Sequence, residues 1–170
     1  NTLDGKTTVA IDATAITTLT GAAADLNTAY DSAGISNLGD EAITLSDTSL
    51  TAAVLNTLDG NTSGTIDATA VTTLTGAAAD LNTAYASAGI SNLGDEAITL
   101  SDTSLTAAVL NTLDGNTSGA VKAKTVTTLT GAAADLITAY ASSGIRNLGN
   151  EAVSVSSGTC LLYTSDAADE

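Results

Sequence analysis

Histidine, proline, methionine, tryptophan and phenylalanine are absent from this chain of 170 residues, and cysteine occurs once, at Cys160. Without histidine there is no imidazole to act as a general base, and a lone thiol gives no disulfide framework. Basic residues are nearly as scarce: Lys6, Lys122, Lys124 and Arg146 stand against 19 acidic residues, for a formal charge of −15. Nucleic acids and anionic membrane surfaces are held by lysines and arginines that neutralise phosphates, so neither is an expected partner. No run approaches the roughly 18 apolar residues of a membrane-spanning helix, so no membrane insertion is expected. Gly115-Asn116-Thr117-Ser118-Gly119 lacks the following lysine of a phosphate loop. Asp95 and Glu96, the one adjacent carboxylate pair weighed for catalysis, would point to opposite faces of an extended chain. The chain therefore reads as a non-enzyme.

What it does have is repetition. Asn-Thr-Leu-Asp-Gly opens at Asn1, Asn56 and Asn111, which fixes the period at 55. Unit 1 (1–55) and unit 2 (56–110) differ at six positions, including Lys6/Asn61, Val9/Gly64, Ile16/Val71 and Asp31/Ala86. Unit 3 (111–159) diverges further, with Lys122, Lys124, Ile137, Arg146 and Asn150 where unit 2 has Asp67, Thr69, Asn82, Ser91 and Asp95. Within each unit Ala78 to Thr83 echoes Ala107 to Thr112, which divides the unit into two related halves. The apolar content, 44%, is almost all Ala, Leu, Ile and Val. A compact globule of this size usually uses larger core side chains, whereas stacked coils share one thin continuous core.

Residues 160–170 break the repeat, which would place a counterpart of Leu105 at position 160. This run resembles the conceptual translation of a transposon-end sequencing adapter and is set aside from fold and function. Without Asp166, Asp169 and Glu170 the formal charge is −12 over residues 1–159. Unit 1 opens without a Met, and both ends are expected to be cuts through a longer protein.

Along unit 2, Thr65-Ile66-Asp67 reads as a short strand followed by Thr69 as a helix N-cap. Val71, Leu74, Ala78, Leu81 and Tyr85 recur at helical spacing, with a break at Gly76 and a stop at Gly89. Ser91 to Glu96 reads as a loop and Ala97 to Leu100 as a second strand. Asp102 or Thr103 is the expected cap of the next helix, with Leu105, Val109, Leu110 and Leu113 on its stripe and Asp114-Gly115-Asn116 as the closing turn. Ile66 to Ile98 and Ile98 to Val121 are the expected strand-to-strand steps. Strands separated by helices pair in parallel. The expected fold is an α/β solenoid of alternating short parallel strands and helices, with two strand-helix coils per unit.

Turns and helix starts carry acidic side chains, and oxygen-rich turns can coordinate calcium. The calcium candidates are Asp47, Asp59, Asp95, Glu96, Asp102 and Asp114, although neither the EF-hand spacing nor the glycine-rich nonapeptide is present. The same acids can instead cap helices and stay solvated, the reading preferred here. Thr72-Thr73-Leu74-Thr75 could belong to a ladder facing ice or glycan, or simply cover a wet strand face. Tyr30, Tyr85 and Tyr140 read as packing elements with the hydroxyl at the rim. Lys122, Lys124 and Arg146 read as drift on a solvated surface.

The residues Asn92-Leu93-Gly94-Asp95-Glu96-Ala97-Ile98-Thr99-Leu100-Ser101-Asp102 and Leu110-Asn111-Thr112-Leu113-Asp114-Gly115 resemble tandem repeats of very large extracellular proteins of marine bacteria, cyanobacteria in particular. That resemblance, spanning 1 to about 159, implies an adhesin-like or hemolysin-type protein, secreted or on the cell surface. It implies neighbouring repeats, and cell-surface glycans or proteins, as partners. Residues 107–115 are also similar to short repeats of phage tail fibres, a second reading. Neither family supplies catalytic residues.

Overall fold

The computed structural model describes residues 2–157; the adapter-like run at 160–170 lies outside the described residues. After a single 3-10 turn at Asp4–Lys6, unit 1 carries β1 (Ile11–Asp12), β2 (Thr18–Gly21), α1 (Ala23–Tyr30), β3 (Ile35–Ser36), β4 (Ala42–Leu45) and β5 (Ser49–Thr51). Helix α2 (Ala52–Asn61) crosses into unit 2, which continues with β6 (Ile66–Asp67), β7 (Thr73–Gly76), α3 (Ala78–Ala86), β8 (Ile90–Ser91), β9 (Ala97–Leu100) and β10 (Ser104–Thr106). Unit 3 follows α4 (Ala107–Asn116) with β11 (Val121–Lys122), β12 (Thr128–Ala132), α5 (Ala133–Ala141), β13 (Ile145–Arg146) and β14 (Ala152–Ser157). The fold is an α/β solenoid with two helices per repeat, and every strand pairing among the described residues is parallel.

Strand neighbours are offset in sequence by 24, as in Leu50↔Leu74 and Leu74↔Ile98, or by 23, as in Ile43↔Ile66 and Ile98↔Val121, apart from the register shift that sets Ala132 opposite Ser157. Helices begin at Ala23, Ala52, Ala78, Ala107 and Ala133, in alternating steps of 29 and 26. Because the two spacings differ, each sheet slides past the helices from coil to coil. The five-stranded sheet β5-β7-β9-β11-β13 starts just before α2 and finishes just after α5. The four-stranded β2-β4-β6-β8 and the three-stranded β10-β12-β14 lie beside it, with β1-β3 at the N-terminal end.

Inward positions form aliphatic ladders: Leu50, Leu74, Ile98, Val121 and Ile145 are successive register partners, each at most 9% exposed. Leu55, Leu58, Leu81, Leu110 and Leu113 close the core from the helix side, all fully buried. One thin aliphatic core therefore runs through the stack without a large aromatic side chain.

Several short segments differ from the sequence reading. Thr73–Gly76 and Ser104–Thr106 are strands rather than parts of helical stripes. In both, a buried Leu alternates with Thr or Ser, and β-branched Thr favours the pleated surface. Gly76, at φ +147°, turns the chain out of β7 against Ala52 of α2. Ile90–Ser91 is a very short strand that overlaps the start of the expected loop. Asp114, Gly115 and Asn116 are the last turn of α4 rather than a closing turn. Ile66 pairs with Ile43 and Ile90, so the step from Ile66 to Ile98 is not a register step.

Candidate functional site

Unit 2 carries a shallow groove of about 490 Å³ between consecutive coils, lined by Thr69, Asn92, Leu93, Gly94 and Asp95. Its wall is built on Asp67, whose Oδ1 accepts from Thr69 N–H at 3.0 Å, Thr69 Oγ1 at 2.5 Å and Asn92 Nδ2 at 2.8 Å. Thr69 thus closes a turn with Asp67 rather than capping a helix. Asn92 sits in the left-handed region at φ +62°, as do Asn37 and Asn147, a conformation asparagine tolerates better than most residues. The carboxyl of Asp67 is held below the usual carboxylate range by the Thr69 hydroxyl first, then Asn92. The same arrangement in unit 1, again led by the hydroxyl of Thr14, lowers Asp12 to about 2.

Beside the groove lies the most buried charged group of the unit. Glu96 is fully buried, and its Oε2 accepts from Tyr85 O–H and Gly94 N–H, each at 2.9 Å. Thr117 of the following coil donates its hydroxyl to the Glu96 carbonyl at 2.9 Å. Unit 1 repeats this with Glu41, Tyr30, Gly39 and Thr62, and in unit 3 Tyr140 donates to Glu151. Burial pushes Glu41 up, but the N–H groups of Gly39, Glu41 and Asp40 and the Tyr30 hydroxyl outweigh it and hold the carboxyl below its ordinary value. Burial, together with the neighbouring carboxylate, pushes Tyr30 up to about 12 and moves Tyr85 in the same direction. The second oxygen of both buried glutamates, Oε1, has no protein partner among the described residues.

The calcium candidates are dispersed. Asp47 and Asp102 each accept the first helical N–H of the preceding coil, Ala23 N–H at 2.7 Å and Ala78 N–H at 2.8 Å. Asp102 is therefore a cap for α3, behind it in sequence, while Thr106 caps α4. Asp59 and Asp114 accept from the hydroxyls of Ser87 and Ser142 at 2.7 and 2.6 Å. Asp95 lines the groove and Glu96 faces the core side of the same loop. Among the described residues no three His, Cys, Asp or Glu side chains are grouped to hold a metal ion.

Tyr85 packs against the core as the sequence reading has it, but that reading missed the Tyr–Glu pair and took Glu96 as a calcium candidate. Its signal was the constant sequence separation, |i−j| of 11, in Tyr30/Glu41, Tyr85/Glu96 and Tyr140/Glu151. It also missed the ladder between helices: Asn27, Asn56, Asn82 and Asn111 donate to the carbonyls of Val54, Asp80, Val109 and Asp135 on the next helix. That ladder accounts for the echo between the two halves of each unit.

The architecture defines the class, an α/β repeat solenoid. No protein-family model, curated protein or solved structure matches the chain. No helix among the described residues is long and apolar enough to cross a membrane.

Proposed function

We propose that these repeats form a non-catalytic spacer or stalk of a large adhesin-like protein, secreted or carried on the cell surface. The observation that carries this reading is the completion of one coil by the next. Helices α1 and α3 have alanine at the N-cap and no local side-chain cap, and Asp47 and Asp102 of the following coil supply the missing acceptor. A coil capped by its successor keeps that cap only in a stack, and the reach of a stack is set by its length.

Parallel neighbours are spaced by about 4.8 Å, so two coils add roughly 10 Å per unit. Small-angle scattering on chains of three, six and nine units tests the proposal. The expected result is a maximum dimension growing linearly by roughly that increment per unit. Growth with the cube root of length, as for a globule, would overturn it.

A further inference from the structure

Residues 56–102 and 111–157 differ at thirteen positions, of which five change charge. Four of those five fall at or beside one groove although they are scattered along the sequence: Lys122, Lys124, Arg146 and Asn150 stand where unit 2 has Asp67, Thr69, Ser91 and Asp95. In unit 2, Thr69 and Asp95 line the groove, Asp67 holds its wall, and Ser91 is the register partner of Asp67. The backbone that shapes the groove is retained in unit 3, with Asn147 at φ +68° and Gly149 at φ +124° beside +62° and +138° for Asn92 and Gly94. Formal charge at these four positions passes from −2 in unit 2, from Asp67 and Asp95, to +3 in unit 3, from Lys122, Lys124 and Arg146.

Folding does not account for the change. Lys122 and Arg146 are direct register partners on adjacent strands, and both side chains are exposed. Like charges placed opposite one another destabilise a sheet. Lys122 also removes the acceptor that Asn92 uses in unit 2, leaving Asn147 in the left-handed region without that tie. An anion seated between the two cations relieves the repulsion. Arg146 offers it a planar fork of donors, and the two lysines offer mobile point charges.

We propose that the unit 3 counterpart of this groove, with Lys124, Asn147 and Asn150 at the lining positions and the Lys122–Arg146 register pair beside them, binds the carboxylate or sulfate groups of an acidic polysaccharide. The groove is open and polar, which suits a chain with spaced anions lying across consecutive coils. A second copy of this protein is the weaker occupant, because its acidic grooves are concave in the same sense and each chain carries a charge of −15. Glu151 of the same loop is tied to the Gly149 and Asn150 N–H groups and the Tyr140 hydroxyl, and the acids of unit 2 do not cancel the patch. Their counterparts are displaced by two coils, roughly 10 Å, against a screening length of about 8 Å at physiological salt. The inference is independent of the stalk reading, since it concerns one groove and not the length of the array.

The test titrates the full chain with a uronic-acid oligosaccharide, a sulfated dextran oligosaccharide, unsubstituted dextran and a DNA duplex, following amide shifts and calorimetry. The partner protein is the triple variant Lys122→Asp, Lys124→Thr, Arg146→Ser, which installs side chains that the second unit already carries on this backbone. Circular dichroism of the variant should superimpose on that of the parent. The expected result is binding of one or both acidic oligosaccharides that shifts the Asn147 and Gly149 amides, weakens with added salt and falls roughly tenfold or more in the variant. Dextran should not bind. The proposal is overturned by failure of both acidic oligosaccharides to bind, by equal binding of dextran, by undiminished binding to the variant or by tighter binding of the duplex. Self-association that disappears in the variant, with neither oligosaccharide bound, would assign the groove to a second copy instead.

Discussion

Asp102 caps a helix that precedes it by a full coil: its Oδ2 accepts the Ala78 N–H of α3 at 2.8 Å, with |i−j| of 24. With Ala77 at the local N-cap, that N–H has no other side-chain acceptor in its own turn. Asp102→Ala should cost about 1 kcal/mol, the usual worth of a cap, and Asp102→Asn only a few tenths because the amide oxygen still accepts. Urea midpoints measure the loss. Hydrogen exchange should place its effect at Ala78 to Leu81, not at the neighbouring α4. Faster exchange confined to α4 would contradict the assignment.

Tyr85 and Glu96 make the second contact on which a unit depends. Tyr85→Phe removes one of the two donors to a fully buried carboxylate oxygen while keeping the ring. Hydrogen bonds to charged groups contribute about 1.5–3 kcal/mol, so a loss in that range is expected in urea unfolding. An unchanged midpoint would mean that the carboxylate finds its donor elsewhere.

The repeat period, the parallel pairing and the strands at Ile66 and Ala97 to Leu100 were legible because they depend on local pattern and length. Thr73–Gly76 was not, since Val71, Leu74 and Ala78 also fit a helical stripe and only Gly76 at φ +147° breaks it. The role of Asp102 was hidden for a different reason. An aspartate a few positions before a helix looks like the cap of that helix, and nothing in a linear reading says that the coil before it lies within reach. Of the groove, Asp95 was singled out but the convergence of Lys122, Lys124, Arg146 and Asn150 was not, because it requires the register that sets Lys122 opposite Arg146. Knowing that step, a reader of the sequence could have found it.

Acid and alkali should each unfold the repeats, through different groups. Asp12, Asp67 and Glu41 have folded pKa values below the ordinary carboxylate range. Their contribution is therefore complete above the unfolded value of about 4 and is lost as pH falls through the folded values. Tyr30 is raised to about 12, against about 10 when unfolded. Its contribution is present below about pH 10 and is lost as pH climbs from about 10 to about 12. The urea midpoint should be flat between about pH 6 and 9 and decline on both sides. Replacing Tyr30, Tyr85 and Tyr140 with Phe should lower the plateau yet flatten the alkaline decline.

Gly119 shows how closely the coils are stacked. A Cβ there would fall on the carbonyl group of Glu96, backbone that cannot swing aside as a side chain could. Gly64 meets Glu41 in the same way one unit earlier. Gly119→Ala should therefore destabilise by more than the strain of ordinary overpacking, about 1–3 kcal/mol, while Gly115→Ala, with open space around it, should be neutral or slightly stabilising in its helical turn. Thermal melts of the two variants should separate clearly, and equal midpoints would show that the stack has slack at Gly119.

Calcium should leave the melting midpoint where it is. A cation held only by the folded state raises stability by about 2.7 kcal/mol at a hundredfold excess over its dissociation constant, a shift of several degrees in a chain of this size. To bind one, acidic turns must bring several oxygens to a single point. Here Asp47 and Asp102 are committed to helix N–H groups, Asp59 and Asp114 to serine hydroxyls, and Glu96 to Tyr85 and Gly94. They lie apart, and no three are grouped among the described residues, so no single point gathers the oxygens the ion needs. Melts in millimolar calcium and in chelator should coincide, and a higher midpoint with calcium would show that these carboxylates can converge on an ion.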